Sequence, residues 1–150
     1  MDKKTVTLWK EYNGIFNELK KQLNSTSNLT GDYAEHLVCD YLNGELLTAS
    51  HKSADIKANG KLYQVKARKI SEGKSTTQLG IIRSWDFDFL VVVLFDEKGD
   101  VKKAIIVPVD VAKRYAVANE YQKGYVISTT NDFITDEGNE DITDAMNERI

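Results

Sequence analysis

The chain has 150 residues, of which 41% are hydrophobic and 29% charged, with one proline and nine glycines. This composition is typical of one globular domain and excludes a low-complexity, collagen-like or wholly disordered chain. The longest apolar run is too short to cross a bilayer, no secretory h-region follows Met1, and a lone cysteine excludes an internal disulfide. We therefore expect a cytoplasmic protein that does not bind membranes.

The net charge of −3 is unevenly distributed along the chain. Residues 131–150 contain seven acidic side chains against one arginine, whereas residues 50–75 contain seven basic side chains against two acidic ones. We predict a single domain over residues 1–130, followed by an acidic C-terminal tail over 131–150. The basic middle is compatible with a phosphate-binding face, or with an ordinary solvated hairpin.

Hydrophobic periodicity predicts the secondary structure in chain order. Apolar residues at three- and four-residue steps predict an extra N-terminal helix over 7–23, which packs on the core or forms a dimer face, and a second helix over 32–42. A third helix is predicted over 109–118. Strands are predicted over 45–49, 54–58, 62–68, 87–95, 101–107 and 125–128. This order predicts an α/β (α+β) domain with a core over about 31–128, in which helices flank a mixed central β-sheet.

The most specific local pattern is a hairpin around Asn59-Gly60, a dipeptide that favours a two-residue turn and sets the register of its strands. In that register Asp55, Gln64 and Lys66 lie on one polar face. A carboxylate and an amide oxygen can both ligate Mg²⁺, and a lysine can orient a water molecule and offset charge on a phosphate. The alternative is an ordinary solvated face of a half-buried hairpin.

Glu35 lies at the edge of the apolar stripe of the second helix, where its carboxylate can point toward the sheet. The spacing Asp32-x-x-Glu35 also fits a capping box, in which Glu35 would close the start of the helix. The two interpretations are compatible.

Glu35, Asp55 and the run Gln64-Val65-Lys66 together resemble the PD-(D/E)XK nuclease superfamily, with its restriction-endonuclease-like fold, in the Q-x-K variant of the motif. Two positions depart from the family pattern. Ala54 stands where the family has proline, and Gln64, a neutral and weaker ligand, replaces the commoner glutamate.

The resemblance implies a Mg²⁺-dependent deoxyribonuclease, in which Mn²⁺ can substitute, of the restriction, phage or mobile-element type. It implies that Asp55, Gln64, the Val65 carbonyl and Glu35 hold the metal. It also implies that Lys66 positions the attacking water, that the products end in 5′-phosphate and 3′-hydroxyl, and that the protein acts on DNA as a homodimer. The predicted catalytic residues are therefore Glu35, Asp55, Gln64 and Lys66.

Candidate contacts to nucleic acid lie near this motif, on basic and polar side chains whose alternative interpretation is ordinary surface polarity. They are Lys52, Arg68, Lys69, Thr77, Gln78 and Arg83. Three other functions remain open. The chain is compatible with a junction resolvase or repair nuclease, with a non-catalytic nucleic-acid-binding or regulatory protein of the same fold, and with an interaction module whose acidic tail binds a basic partner or covers its own basic face.

Overall fold

A six-stranded sheet forms the centre of the computed structural model, which describes residues 1–25, 28–48 and 53–150. The helices are α1 (Lys3–Leu23), α2 (Leu29–Leu42), α3 (Val109–Tyr115), α4 (Asn131–Ile134) and α5 (Thr143–Asn147). The strands are β1 (Glu45–Leu46), β2 (Ile56–Ala58), β3 (Lys61–Lys69), β4 (Phe89–Phe95), β5 (Val101–Pro108), β6 (Val117–Asn119), β7 (Gly124–Val126) and β8 (Glu140–Asp141).

The large sheet is mixed, in the order β1-β2-β3-β4-β5-β8, while β6 and β7 form a separate hairpin. Strands β3 and β4 run parallel, and the other neighbouring strands of the large sheet are antiparallel. A hydrophobic cluster on one face packs against α2 and α5, and a second cluster on the other face packs against α3 and α4. The predicted fold class, a mixed central sheet flanked by helices, is confirmed.

The predicted hairpin register is also confirmed, with Ile56 opposite Tyr63 and Ala58 opposite Lys61. Asn59 and Gly60 have φ angles of 51° and 75°, as a two-residue turn with left-handed backbone requires. Strand β2 begins only at Ile56, two residues after the predicted start, so Asp55 lies immediately before the strand.

Strand β4 is buried on both faces, as its continuous apolar run predicts. Val91 and Val93 belong to the cluster beneath α2, whereas Leu90 and Val92 belong to the opposite cluster. The central strand β4 pairs with its neighbour β3 from Tyr63 to Lys69 and so supports the part of β3 that carries Gln64 and Lys66.

Helix α2 begins at Leu29, three residues before the predicted start. The side chain of Asn28 caps it by accepting a 3.0 Å hydrogen bond from the Gly31 N–H. Asp32 is therefore inside the helix, and the capping-box interpretation of Asp32 and Glu35 is wrong. The carboxyl group of Glu35 is free to serve another purpose.

Residues 131–150 are acidic, as noted, but they pack into the domain. Strand β8 pairs with β5, and the side chains of Phe133, Ile142 and Met146 are buried in the two clusters. The predicted helix over 109–118 ends at Tyr115, because residues 117–119 form β6 instead.

Helix α1 has no buried residue, and contacts the rest of the chain mainly through α2. Its side chains Leu8, Tyr12, Ile15 and Leu19 are 54%, 55%, 70% and 38% exposed. Throughout the described ranges, no helix combines the length and apolar character that a membrane span requires.

Candidate active site

Asp55 lies immediately before β2 and reaches across to β3. Its Oδ2 atom accepts hydrogen bonds from the Val65 N–H at 2.8 Å and from Gln64 Nε2 at 3.0 Å. Its own N–H donates to the Tyr63 carbonyl at 2.8 Å. Burial raises the pKa of Asp55, while the Val65 N–H and the Lys66 ammonium oppose that rise.

Glu35 projects from α2 toward the same point. Burial raises its pKa to about 8, and the adjacent Asp55 carboxylate, to which Glu35 is hydrogen-bonded, adds to that rise. Asp32, one turn earlier on α2, contributes further negative charge. At neutral pH, in the absence of a cation, Glu35 therefore holds a proton that it shares with Asp55.

Lys66 lies next along β3, on the same face as Gln64, and is half-buried. Its Nζ atom donates a 2.9 Å hydrogen bond to the Ile81 carbonyl. Burial lowers the pKa of Lys66, and Asp55 and Glu35 counteract this effect, whereas Arg68 and Arg83 reinforce it. The ammonium group thus lies between two carboxyl groups and two guanidinium groups.

The donors around Asp55 are hard oxygen ligands of the kind that Mg²⁺ prefers. The N–H and C=O of one strand residue point to the same side, so the Val65 carbonyl faces Asp55 as its N–H does. Within the described ranges, no three His, Cys, Asp or Glu side chains converge on one point. A complete set of metal ligands would therefore need the Gln64 amide oxygen or the Val65 carbonyl in addition to the two carboxylates.

The remaining predicted residues occupy different places. Arg68 is close to Lys66 and donates through Nε to the Gln78 carbonyl at 3.2 Å, and Arg83 is exposed. Lys69 is separated from them, since it lines a groove beside α1 with Phe16 and Leu19.

Thr77 has a structural contact, because its N–H donates to Thr129 Oγ1 at 2.9 Å. Lys52 lies outside the described residues. Among the residues that the structure describes, the predicted nucleic-acid contacts therefore do not form one patch. Arg68 and Arg83 are the two basic members that the structure brings near Lys66.

Sequence reasoning missed three residues beside this cluster. Asp32 was interpreted only as a cap, Ile81 enters through its backbone carbonyl, and Gly80 lies against the ends of Lys66 and Arg68. A carbonyl contact leaves no trace in residue type. The position of Asp32 three residues before Glu35 on one helix was the available signal.

No family model matches the chain. No curated protein matches it either. Among solved structures, the chain is similar to a bacterial homing endonuclease, I-Ssp6803I, with 23% identity and a TM-score of 0.47, over 71% of this chain and 77% of that chain. We assign neither family nor function from this similarity.

Proposed function

We propose that the chain is a Mg²⁺-dependent endonuclease that hydrolyses phosphodiester bonds in DNA. One observation carries the proposal: the carboxyl groups of Glu35 and Asp55 touch, beside Lys66, although they come from α2 and from the turn before β2. Two ionised carboxyl groups at a half-buried position repel each other, so the pair must hold either a shared proton or a cation. This arrangement agrees with the PD-(D/E)XK resemblance of the sequence.

Glu35, Asp55, the Gln64 amide oxygen and the Val65 carbonyl would hold the metal ion. The ion would supply a Lewis acid for the phosphate and would favour ionisation of water. Asp55 is preorganised for this role, because its Oδ2 is held by the Val65 N–H and by Gln64. Glu35 must release its proton when a cation enters, so metal binding and deprotonation are coupled.

Lys66 orients the attacking water and offsets the charge that develops on the phosphate. Hydrolysis adds the water oxygen to phosphorus and breaks the bond from phosphorus to O3′. The proton lost by the water goes to solvent and the departing O3′ takes one up, so the products end in 5′-phosphate and 3′-hydroxyl. Lys66 is held in place by the Ile81 carbonyl.

The test is cleavage of supercoiled plasmid with Mg²⁺, Mn²⁺ or EDTA by the native chain, Lys66→Ala and Lys61→Ala. Lys61 is an exposed lysine of the same strand and serves as the matched control. We expect metal-dependent nicking or linearisation by the native chain and Lys61→Ala, and none by Lys66→Ala. Equal cleavage by all three would remove the mechanism. A four-way junction and a linear duplex of the same sequence distinguish a resolvase from a general endonuclease.

A second candidate is a nucleic-acid-binding protein of the same fold that does not cleave. Gln64 favours this second function, because an amide gives the site one negative charge fewer than a glutamate would. That function predicts salt-dependent DNA binding that EDTA does not alter. Gln64→Glu discriminates between the two: gain of metal-dependent cleavage in an otherwise silent chain would favour the binding protein.

We also propose that two copies associate through α1. The exposed side chains Leu8, Tyr12, Ile15 and Leu19 are spaced by four, three and four residues, a pattern that reads the same in both directions. Two antiparallel copies related by a two-fold axis therefore match Leu8 to Leu19 and Tyr12 to Ile15. An exposed apolar stripe of this extent is typical of an interaction surface.

A further inference from the structure

A short segment, Gln78 to Arg83, crosses the end of the candidate active site and is anchored from behind. Leu79 and Ile82 are each 2% exposed. The Leu79 N–H donates to the Ile127 carbonyl at 2.9 Å, and Ile82 exchanges two 2.8 Å hydrogen bonds with Tyr125. The segment is therefore a fixed wall, and its intervening residues, Gly80 and Ile81, have a defined position.

This wall holds two successive basic side chains of β3. Lys66 Nζ donates to the Ile81 carbonyl at 2.9 Å, and Arg68 Nε donates to the Gln78 carbonyl at 3.2 Å. Among the described residues, neither cation has a carboxylate oxygen within 4.0 Å. Each therefore keeps N–H donors for an external acceptor.

Gly80 lies between the two carbonyls. A Cβ atom added there would come within 3.6 Å of Arg68 Nη2 and 3.8 Å of Lys66 Nζ. The backbone at Gly80 is outside the left-handed region, unlike that at Gly60, so its conformation does not require glycine. The distances of 3.6 Å and 3.8 Å are ordinary van der Waals distances, so glycine leaves unfilled a position where a methyl group would lie directly against two cationic groups.

We propose that the recess over Gly80, bounded by Lys66 and Arg68, binds a phosphate group of a nucleic-acid backbone next to the phosphate at the Asp55 site. Gly80 is then a positioning residue that permits the close approach of the phosphate. The assignment of the phosphate to DNA rests on the proposed function. The recess itself rests on the geometry of Gly80, Lys66 and Arg68.

Asp55 and Glu35 face Lys66 from one side and, in the absence of a cation, carry one negative charge and one shared proton between them, while Arg83 adds positive charge. The recess is therefore positive toward β3 and the 78–83 segment, and negative toward α2. This polarity suits a strand whose one phosphate meets the metal ligands while its neighbour meets the arginine.

The experiment measures equilibrium binding of a fluorescent DNA duplex by the full-length chain in EDTA, where cleavage plays no part. Gly80→Ala fills the recess without a steric clash, and Gly80→Asp places a carboxylate against the two cations. We expect Gly80→Ala to weaken binding roughly tenfold, the value of one hydrogen bond to a charged group. Gly80→Asp should weaken DNA binding further. Arg68→Ala should reduce the salt dependence of DNA binding by the equivalent of about one phosphate contact.

Gly14→Ala is the matched control, since a Cβ added at that position of α1 meets no other group of the described residues within 4 Å, the helix's own backbone apart. The Gly80 and Arg68 variants should keep the thermal unfolding temperature of the native chain, and Gly14→Ala should match or exceed it, because alanine favours the interior of a helix over glycine. Native binding by both Gly80 variants would overturn the inference, whether or not the chain cleaves DNA. If the chain never cleaves DNA but Gly80→Ala weakens DNA binding, the proposed function is overturned and the phosphate site at Gly80 stands.

Inorganic phosphate, titrated as a competitor, distinguishes the source of the phosphate. We expect inorganic phosphate to displace the duplex no more than a simple salt does at the same ionic strength. Specific displacement at lower concentration, lost in Gly80→Asp, would overturn the backbone assignment in favour of a free-phosphate site.

Discussion

Glu35 and Asp55 share a hydrogen bond between their carboxyl groups, although one lies on α2 and the other immediately before β2. Asp55 is held by its bonds to β3, while Glu35 arrives from the helix packed above. The contact therefore depends on the docking of α2 against the sheet. It is also the most direct source of predictions about pH and metal ions.

The first prediction concerns stability against pH without metal. The pKa of Glu35 is about 8 in the folded chain against an ordinary value of 4.5, so the folded state binds more protons between these values. The stabilisation is complete below pH 4.5 and is lost as pH rises through 8. Water screens part of this effect at a half-buried group. In EDTA, we expect the Tm of Glu35→Gln relative to that of the native chain to be higher at pH 8 than at pH 5 by roughly 2–4 °C. Parallel pH profiles of the two proteins would contradict this.

The second prediction concerns Mg²⁺ itself. A cation at Asp55 and Glu35 replaces the shared proton, so millimolar Mg²⁺ should raise Tm more at pH 8 than at pH 5. Asp55→Asn should remove this rise, whereas Lys57→Ala, an exposed change on β2, should keep it. Differential scanning fluorimetry checks both. An equal rise in Asp55→Asn would place the ion elsewhere.

The third prediction separates the structural and functional roles of Asp55. Asp55→Ala leaves the Val65 N–H without its acceptor, whereas Asp55→Asn keeps an oxygen there. We expect urea unfolding to show Asp55→Ala less stable than Asp55→Asn by about 1–3 kcal/mol, the cost of an unsatisfied buried donor. Both should lose cleavage. Equal stability would mean that Val65 finds another acceptor.

The fourth prediction concerns the C-terminal residues. Met146 is fully buried beneath the sheet, so Met146→Ala should cost about 2–5 kcal/mol of unfolding free energy. The exposed change Glu148→Gln should stay within about 0.5 kcal/mol. Denaturant titration measures both, and a Met146→Ala variant as stable as the native chain would contradict the packing of α5.

The same packing changes how the acidic segment is tested. Deleting 131–150 would remove β8 and three buried side chains, and the chain would not fold for reasons unrelated to charge. Neutralising the exposed acids Glu137, Asp144 and Glu148 keeps the fold. Tighter DNA binding by that triple variant is the result expected if these acids repel the strand, and native affinity would dismiss the idea.

The fifth prediction concerns association through α1. Ile15 is 70% exposed at the middle of the apolar stripe, so Ile15→Glu should convert a dimer into a monomer in sedimentation velocity. Asn17→Glu, an exposed residue of the same helix outside the stripe, is the control. A native chain that sediments as a monomer at all concentrations would refute this interface.

Local rules determined much of this protein from sequence. The Asn59-Gly60 turn set the register of β2 and β3. Left-handed backbone at both residues makes a two-residue turn, and such a turn allows only one pairing of the two strands. The continuous apolar run of β4 predicted a central strand, because such a run indicates burial on both faces of the sheet. Asp55, Gln64 and Lys66 were therefore expected on one face before any tertiary contact was known.

Contacts between distant segments were decided only by the tertiary structure. The Glu35–Asp55 bond depends on how α2 packs, and the Lys66–Ile81 bond depends on a backbone carbonyl that residue type does not reveal. The acidic C-terminal residues were predicted as a tail because charge dominates their composition. Their few apolar side chains complete the two clusters once the sheet exists, since burial is a property of the assembled core rather than of a local sequence window.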